Sequence, residues 1–345
     1  MVDWFFHTGL HESHCRCTQF AVTRAHQHAE LLMNSRPKPH LPRCSSSRIT
    51  TPLVAVSVPG WNPTVWCKLE YLNPSGSTKD RIARYILTKA IRRGELTSLG
   101  IVVEASSGST SIAMALACAQ LGLTFVAVMP EGVSNERVMM IRAYGAEVEL
   151  TPKPEGIAGA IKRAQIISEN RGAYWPRQFS NTDNANAHRN ETAQEILSQI
   201  DTDSIDLFVS GVGTGGTLVG VTQGLRDAGC NVTPVLARPI DTGVMSEVEC
   251  SSFSGRIPGV VDGLSTIFAN ANFPRLQEIE VSDEEAIEVT RQLIRCGYPV
   301  GPSSGLNFLA AVRSIERHSA DEPTAVTVFP DRMERYFSTE LFADM

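Results

Sequence analysis

The sequence predicts an α/β protein of two lobes, each a mainly parallel twisted sheet flanked by helices. From Thr51 onward, short apolar runs alternate with segments of helical period, and glycines stand where most of those segments stop. Strands alternating with helices imply parallel sheets covered on both faces. No repeat of fixed period and no coiled-coil heptad competes with that pattern.

Taken in order, residues 65–69 are a short apolar strand. Ser77, with Asp80 three positions on, is a capping-box pattern opening a helix to Arg93, with Gly94 as its stop. Residues 101–103 are a buried-type strand, 110–121 an Ala-rich helix ended by Gly122, and 124–129 a strand closed by Pro130. A helix over 134–144 ends at Gly145, a strand follows over 146–150, and a helix over 157–171 ends at Gly172. The second half behaves alike: strand 207–210, helix 215–228 ended by Gly229, strand 234–237. Ser282 with Glu285 is a second capping box, opening a helix to Gly297. Residues 304–318 are helical, and 325–329 form a terminal apolar strand.

The chain has 345 residues, 31 basic against 37 acidic, for a net charge of −6. That length allows one large or two medium domains. The acidic balance argues against a nucleic-acid-binding surface, which needs clustered Lys and Arg. Mean hydropathy is −0.07, and no apolar run approaches the roughly 18 residues of a membrane span. No N-terminal stretch joins a basic head to an apolar run and a small-residue cleavage site, so a cytoplasmic location is expected. The eight cysteines, scattered through the chain, are read as reduced thiols.

Residues 1–48 stand apart as an N-terminal extension expected to be disordered, or as sequence upstream of a later start such as Met33. Six of the eight histidines (His7, His11, His14, His26, His28, His40) and three cysteines (Cys15, Cys17, Cys44) lie there. The Pro-rich stretch 36–42 and Ser45 to Ser47 read as a linker. His7, His11 and His14 with Cys15 and Cys17 match no standard zinc finger, so no metal is assigned.

Three loops where strands meet helices carry the chemistry, because doubly wound sheets bind ligands at strand carboxyl ends. Gly211-Val212-Gly213-Thr214-Gly215-Gly216-Thr217 follows a strand and opens a helix. Free N–H groups there favour a phosphate, and a plain tight turn needs fewer than four glycines. The loop is neither a Walker loop nor a dinucleotide fingerprint. In the second loop, Lys79 falls in the first turn of its helix, where the dipole lowers an amine pKa and suits a Schiff-base lysine. Taken alone, a surface lysine is the simpler reading. The third, Ser106-Ser107-Gly108-Ser109-Thr110, offers four hydroxyls at a helix start as a carboxylate cradle, of which ordinary capping explains about two. A phosphate loop, a helix-start lysine and a carboxylate cradle together describe pyridoxal phosphate acting on an amino acid.

From Thr51 to Met345 the sequence resembles the fold-type II pyridoxal-phosphate enzymes of the cysteine synthase and cystathionine β-synthase family, whose fold is tryptophan synthase β-like. The matching landmarks are Thr51-Pro52-Leu53, the Lys79 segment, the Ser106 to Thr110 loop and Met129-Pro130-Glu131. Further ones are Arg142 to Glu147, Gln178-Phe179-Ser180-Asn181, the glycine loop, Gly301-Pro302-Ser303-Ser304-Gly305 and Glu334 to Thr339. Pro258-Gly259-Val260 and Asp331-Arg332 lean toward the cysteine synthase B branch. The resemblance implies that Lys79 holds pyridoxal 5′-phosphate as an internal aldimine and shuttles the Cα proton. Gly213, Thr214, Gly215, Gly216 and Thr217 would bind its phosphate, and Ser303 its pyridine nitrogen. Ser106, Ser107, Ser109, Thr110 and Gln178 would grip the substrate carboxylate. It also implies a homodimer, with residues 49–71 and 184–345 as a larger cofactor lobe and 72–183 as a smaller mobile substrate lobe.

The implied reaction is β-replacement on an O-activated L-serine, O-acetylserine or O-phosphoserine, in which sulfide or another nucleophile adds to an aminoacrylate intermediate. Alternatives are cysteine desulfhydration to sulfide, pyruvate and ammonia, synthesis of 2,3-diaminopropionate, and a non-catalytic cofactor-binding homologue. Departures bear on that choice. Ser109 stands where the family usually has an Asn contacting the cofactor's 3′ oxygen, and the cradle resembles cysteine desulfhydrase-like members. Ala237-Arg238-Pro239 replaces Val-Glu-Pro, and Arg238 reads as a surface cation. Haem-binding members carry an upstream Cys and His, a role Cys44 or His40 would imitate.

Overall fold

β1 (Leu53–Val56) and β2 (Val65–Lys68) form an antiparallel pair, with Val54 opposite Cys67. These elements belong to a computed structural model that describes residues 50–202, 204–240 and 263–343. The expectations for residues 1–48, and the Pro258-Gly259-Val260 landmark, lie outside the described residues.

After α1 (Lys79–Arg92) comes a run of β3 (Ile101–Ala105), α2 (Ser109–Leu121), β4 (Thr124–Pro130), α3 (Asn135–Ala143), β5 (Glu147–Thr151) and α4 (Gly156–Arg171). Its strands make a parallel three-stranded sheet in the order β3-β4-β5. In β4 all residues after Thr124 are buried, as a strand covered on both faces requires. The chain then runs through α5 (Asp183–Ala187), a π-turn at His188–Thr192 and α6 (Ala193–Gln199).

The second half supplies β6 (Leu207–Ser210), α7 (Gly216–Asp227), β7 (Thr233–Ile240), α8 (Thr266–Ala269), β8 (Gln277–Ser282), α9 (Asp283–Arg295), α10 (Pro302–Glu316) and β9 (Ala325–Val328). These join β1 and β2 in a six-stranded sheet of order β1-β2-β9-β6-β7-β8, parallel except at β1. The larger sheet's core includes Val209, Val235, Leu306, Phe308 and Phe329; the smaller one's includes Val102, Ile112 and Phe125. Each such side chain contributes about 1.5–3 kcal/mol by leaving water.

The Ser282–Glu285 capping box forms as expected, with both reciprocal bonds present. The one at Ser77 and Asp80 does not. Asp80 turns back to Ser75, accepting from its backbone N–H at 2.6 Å and from its hydroxyl. Ser77 is instead drawn into a bridge with Asp331, and α1 starts at Lys79 behind Thr78. The difference matters for the site, because the Asp80 bonds close the loop that delivers Lys79. Burial pushes the Asp80 carboxyl up to about 6 despite those bonds.

α7 lies directly against α5 and α6 along a stripe of glycines one turn apart. A Cβ at Gly216 would meet Asn184 Oδ1 at 1.9 Å, one at Gly220 the Ala185 carbonyl at 2.1 Å, and one at Gly224 the Ala193 Cβ at 2.5 Å. With no side chain between them, the backbones approach closely, and the start of α7 is set by the α5–α6 run.

Candidate active site

A cavity opens where the carboxyl ends of β3, β6 and β9 meet the starts of α1, α2, α7 and α10. Lys79, Ser106, Ser107, Ser109, Thr110, Gln178, Gly213, Thr214, Gly215, Thr217 and Ser303 all line it. Among the site residues expected from the sequence, only Gly216 is off the cavity wall, since its Cα is taken up against Asn184.

Lys79 is half-buried, and its accessible part faces the cavity. Burial pulls its amine below the ordinary 10.5, against the opposing charges of Asp331 and Glu70. A lysine so placed gives up its proton more readily than a solvated one. The surface-cation reading of Lys79 is therefore excluded. Arg238, by contrast, is partly exposed, faces Glu278 and Glu280 at 3.6 and 3.7 Å on neighbouring β8, and does not line the cavity.

The hydroxyl loop folds around its own side chains. Ser106 Oγ accepts from the Gly108 and Ser111 N–H groups, both at 3.1 Å, and lies 2.6 Å from the Ser111 hydroxyl. Gly108 has φ +147°, and a Cβ there would meet Arg137 Cδ at 2.3 Å, so glycine is required. The Thr110 hydroxyl donates to Gln178 Oε1 at 2.6 Å, while Gln178 Nε2 donates to the Ala105 carbonyl at 2.6 Å. Gln178 is aimed inward by Arg177, whose φ of +53° is the one positive value at a non-glycine among the described residues. Behind the loop, the fully buried Glu104 accepts from the Gln178 and Ala105 N–H groups and from Trp175 Nε1, at 2.9–3.2 Å. Burial pushes the Glu104 carboxyl up to about 7, against those three bonds.

In the glycine loop, Gly215 is the left-handed residue before α7, with φ +80°. Its Cβ would meet Phe268 Cβ and Ser265 Oγ, each at 2.8 Å. Both loop hydroxyls are held from α5 and the π-turn. Asn184 Nδ2 donates to Thr214 Oγ1 at 2.9 Å, and His188 Nε2 lies 3.3 Å from Thr217 Oγ1. Burial pushes His188 down to about 3, which keeps the imidazole neutral.

The sequence reading missed several lining residues. Asp331, quoted only as a landmark, accepts from the Tyr336 hydroxyl at 2.7 Å and the Ser109 hydroxyl at 3.2 Å. Arg137 lines the wall between them, donating to the Ser107 carbonyl at 2.9 Å with its guanidinium over the Tyr336 ring. Asn307, from the second turn of α10, accepts from the Gly211 N–H at 2.8 Å. The Asp-Arg dipeptide was a usable signal for Asp331; nothing local marks Arg137 or Asn307.

Beneath α1 lies a buried ionic cluster. Arg81 gives two 2.7 Å bonds each to Glu70 and Glu195, and Lys68 lies 2.9 Å from Glu195. Two cations and two carboxylates balance there. Burial would raise the Glu70 carboxyl, but the charge and hydrogen bonds of Arg81 outweigh it and hold it at about 2.

The residues fit a phosphorylated pyridine aldehyde. A desolvated amine, hydroxyls and N–H groups at the start of α7, and a hydroxyl at the start of α10 surround one space. Two buried atoms of its walls, Thr78 Oγ1 and Asp331 Oδ1, have no hydrogen-bond partner among the described residues, so the wall retains unmet polar capacity.

The family described as pyridoxal-phosphate dependent enzymes matches residues 45–331. A cysteine synthase B of Campylobacter jejuni is 40% identical over 295 residues, covering 85% of this chain and 96% of that protein. A hydrogen sulfide-producing enzyme of Fusobacterium nucleatum superposes with TM-score 0.77 at 31% identity, over 92% of this chain and 93% of that one. An O-acetylserine dependent cystathionine β-synthase of Helicobacter pylori gives TM-score 0.74 at 33% identity, over 85% and 95%.

Proposed function

The chain belongs to the pyridoxal-phosphate dependent enzymes, and from that premise we propose that it forms L-cysteine by β-replacement on an O-activated L-serine, O-acetylserine or O-phosphoserine, with sulfide as nucleophile. Pyridoxal 5′-phosphate is the cofactor. The observation carrying the proposal is convergence: Lys79, the hydroxyl loop, the glycine loop and Ser303 line one cavity from segments more than 200 residues apart.

When bound, the cofactor supplies the electron sink that lets the Cα–H bond and the bond to the β-substituent break. The protein's part is placement and proton transfer. Lys79 would hold the cofactor through Nζ until the substrate's amine displaces it, and the freed Nζ would then take the Cα proton as base; the lowered pKa keeps that amine available unprotonated. Ser106, Ser107, Ser109, Thr110 and Gln178 receive the substrate carboxylate. Gly213, Thr214, Gly215, Gly216 and Thr217 receive the phosphate, where α7 begins. Ser303, a neutral hydroxyl in the first turn of α10, would meet the pyridine nitrogen and, having no carboxylate charge, would leave it unprotonated.

A second reading, cysteine desulfhydration, is favoured by one observation, the similarity to a hydrogen sulfide-producing enzyme of Fusobacterium nucleatum. We place the protein in the cytoplasm as a homodimer, supported by the free thiols of Cys67, Cys118, Cys230 and Cys296 and by the family resemblance. No helix among the described residues is long and apolar enough to cross a membrane. The segment 72–183 is taken as the lobe that closes over substrate.

Purified protein is expected to absorb in the visible and to lose that band with Lys79→Ala. O-acetylserine should perturb the band and sulfide restore it. A colourless wild type refutes the whole proposal. Inertness toward O-acetylserine, with pyruvate formed from cysteine, transfers the case to desulfhydration.

A further inference from the structure

Asn184, in α5, is fully buried between the hydroxyl loop and the glycine loop. Its Nδ2 carries two hydrogens and meets two acceptors, the Gln178 carbonyl at 2.8 Å and Thr214 Oγ1 at 2.9 Å. A carbonyl can only accept, so the Gln178 bond dictates which way the amide points. Oδ1 then faces Gly216, leaving no room for a side chain there, and finds no hydrogen-bond donor among the described residues.

Each arm of this amide ends on a group already engaged in the cavity. Gln178 continues to the Thr110 hydroxyl and the Ala105 carbonyl, both at 2.6 Å. Thr214 is steadied from its other side by Ser265, whose hydroxyl donates to its carbonyl at 2.6 Å. Because Asn184 donates to Thr214 Oγ1, the hydroxyl keeps its own hydrogen for an anion. A continuous chain therefore runs Thr110–Gln178–Asn184–Thr214 from one loop to the other. One planar amide carries both links, so displacing Gln178 displaces the donor on Thr214.

We propose that Asn184 is a positioning residue that couples the carboxylate loop to the phosphate loop. A carboxylate seated at residues 106–110 competes for the Thr110 hydroxyl and Gln178 Nε2, shifts the Gln178 backbone, and through Asn184 alters the hold on the phosphate. The coupling is reciprocal, as linkage requires. It rests on the assignment of these two loops to substrate carboxylate and cofactor phosphate.

The test uses the holoenzyme with acetate, a carboxylate that has no amine to displace Lys79. Acetate affinity is measured by calorimetry, and the bound cofactor's phosphate is read by phosphorus NMR. In the wild type, acetate should move the phosphorus resonance. In Asn184→Ala, acetate should bind about fivefold or more weakly, the low end of typical couplings, and leave the resonance in place. Should that variant fail to fold or load cofactor, Thr214→Val breaks the same chain at its other end, and the acetate response should again vanish. An acetate-induced shift retained in the variant, or absent from a wild type that binds acetate, overturns the coupling alone. Failure of the wild type to bind acetate overturns the carboxylate assignment and the coupling with it.

Discussion

Replacing Arg81 by methionine leaves the volume beneath α1 largely filled but strips Glu70 and Glu195 of four 2.7 Å bonds. Removing one partner of a buried ion pair costs about 3–5 kcal/mol, because the remaining charge stays desolvated. The pKa of Glu70 gives an independent scale. Holding that fully buried carboxyl at about 2 rather than its ordinary 4.5 corresponds to about 3 kcal/mol. The two routes agree on a loss of about 3 kcal/mol or more. At a slope of about 3 kcal/mol per molar, the urea midpoint should fall by about 1 M. The pH dependence sharpens the test. With its pKa depressed, Glu70 contributes stability that is full above pH 4.5 and is lost as pH falls toward about 2. In Arg81→Met burial dominates and the folded pKa rises above 4.5, so the sign reverses: the contribution is present below pH 4.5 and is lost as pH rises. Urea unfolding followed by tryptophan fluorescence and circular dichroism from pH 7 to 3 reads both effects. An unchanged midpoint at pH 7, or a variant that loses as much stability as the wild type on acidification below pH 4.5, refutes the reasoning.

Three further outcomes follow from the same geometry. Glu104 should titrate near pH 7 by carbon NMR of the labelled carboxyl, disfavouring the folded state as pH rises from 4.5 through about 7; a midpoint between 4 and 5 counts against its desolvation. Gly220→Ala drives a methyl to 2.1 Å from the Ala185 carbonyl and should cost about 1–3 kcal/mol in urea unfolding, whereas a neutral result would mean that α7 is free to move away. Ser109→Asn removes the hydroxyl that donates to Asp331 and should raise the ratio of O-acetylserine sulfhydration to cysteine desulfhydration, measured side by side; an unchanged ratio would show that residue 109 does not set it.

Much of this site was legible because its residues sit in loops with local chemical signatures. Four glycines in seven positions, four hydroxyls at a helix start and a lysine in a first turn are patterns that neighbours in sequence reveal. What escaped depends on partners distant in the chain. Asn184 and His188 lie in an Asn-rich stretch without apolar period, and their meaning appears only when α7 is laid against them. That contact did have a sequence trace in the spacing of Gly216, Gly220 and Gly224, which turn chemistry at the glycine loop overshadowed. Ser77 and Asp80 misled because Asp80 has two serines within reach, Ser77 three positions back as in a capping box and Ser75 five positions back, and it bonds Ser75 while Ser77 bridges to Asp331. β8 was passed over although Ile279 and Val281 alternate with exposed Glu278 and Glu280, the pattern of an edge strand.

The strand order has a consequence for how the protein comes into being. β9, the last of the described strands to be made, is inserted between β2 and β6 and is their only hydrogen-bonded link within the larger sheet. Until residue 328 has left the ribosome, the strand leading toward Lys79 and the strand leading to the glycine loop have no common sheet. Such long-range pairing is slow and comes late. Cofactor capture therefore waits for β9, and a chain truncated before it should neither close this sheet nor take up colour.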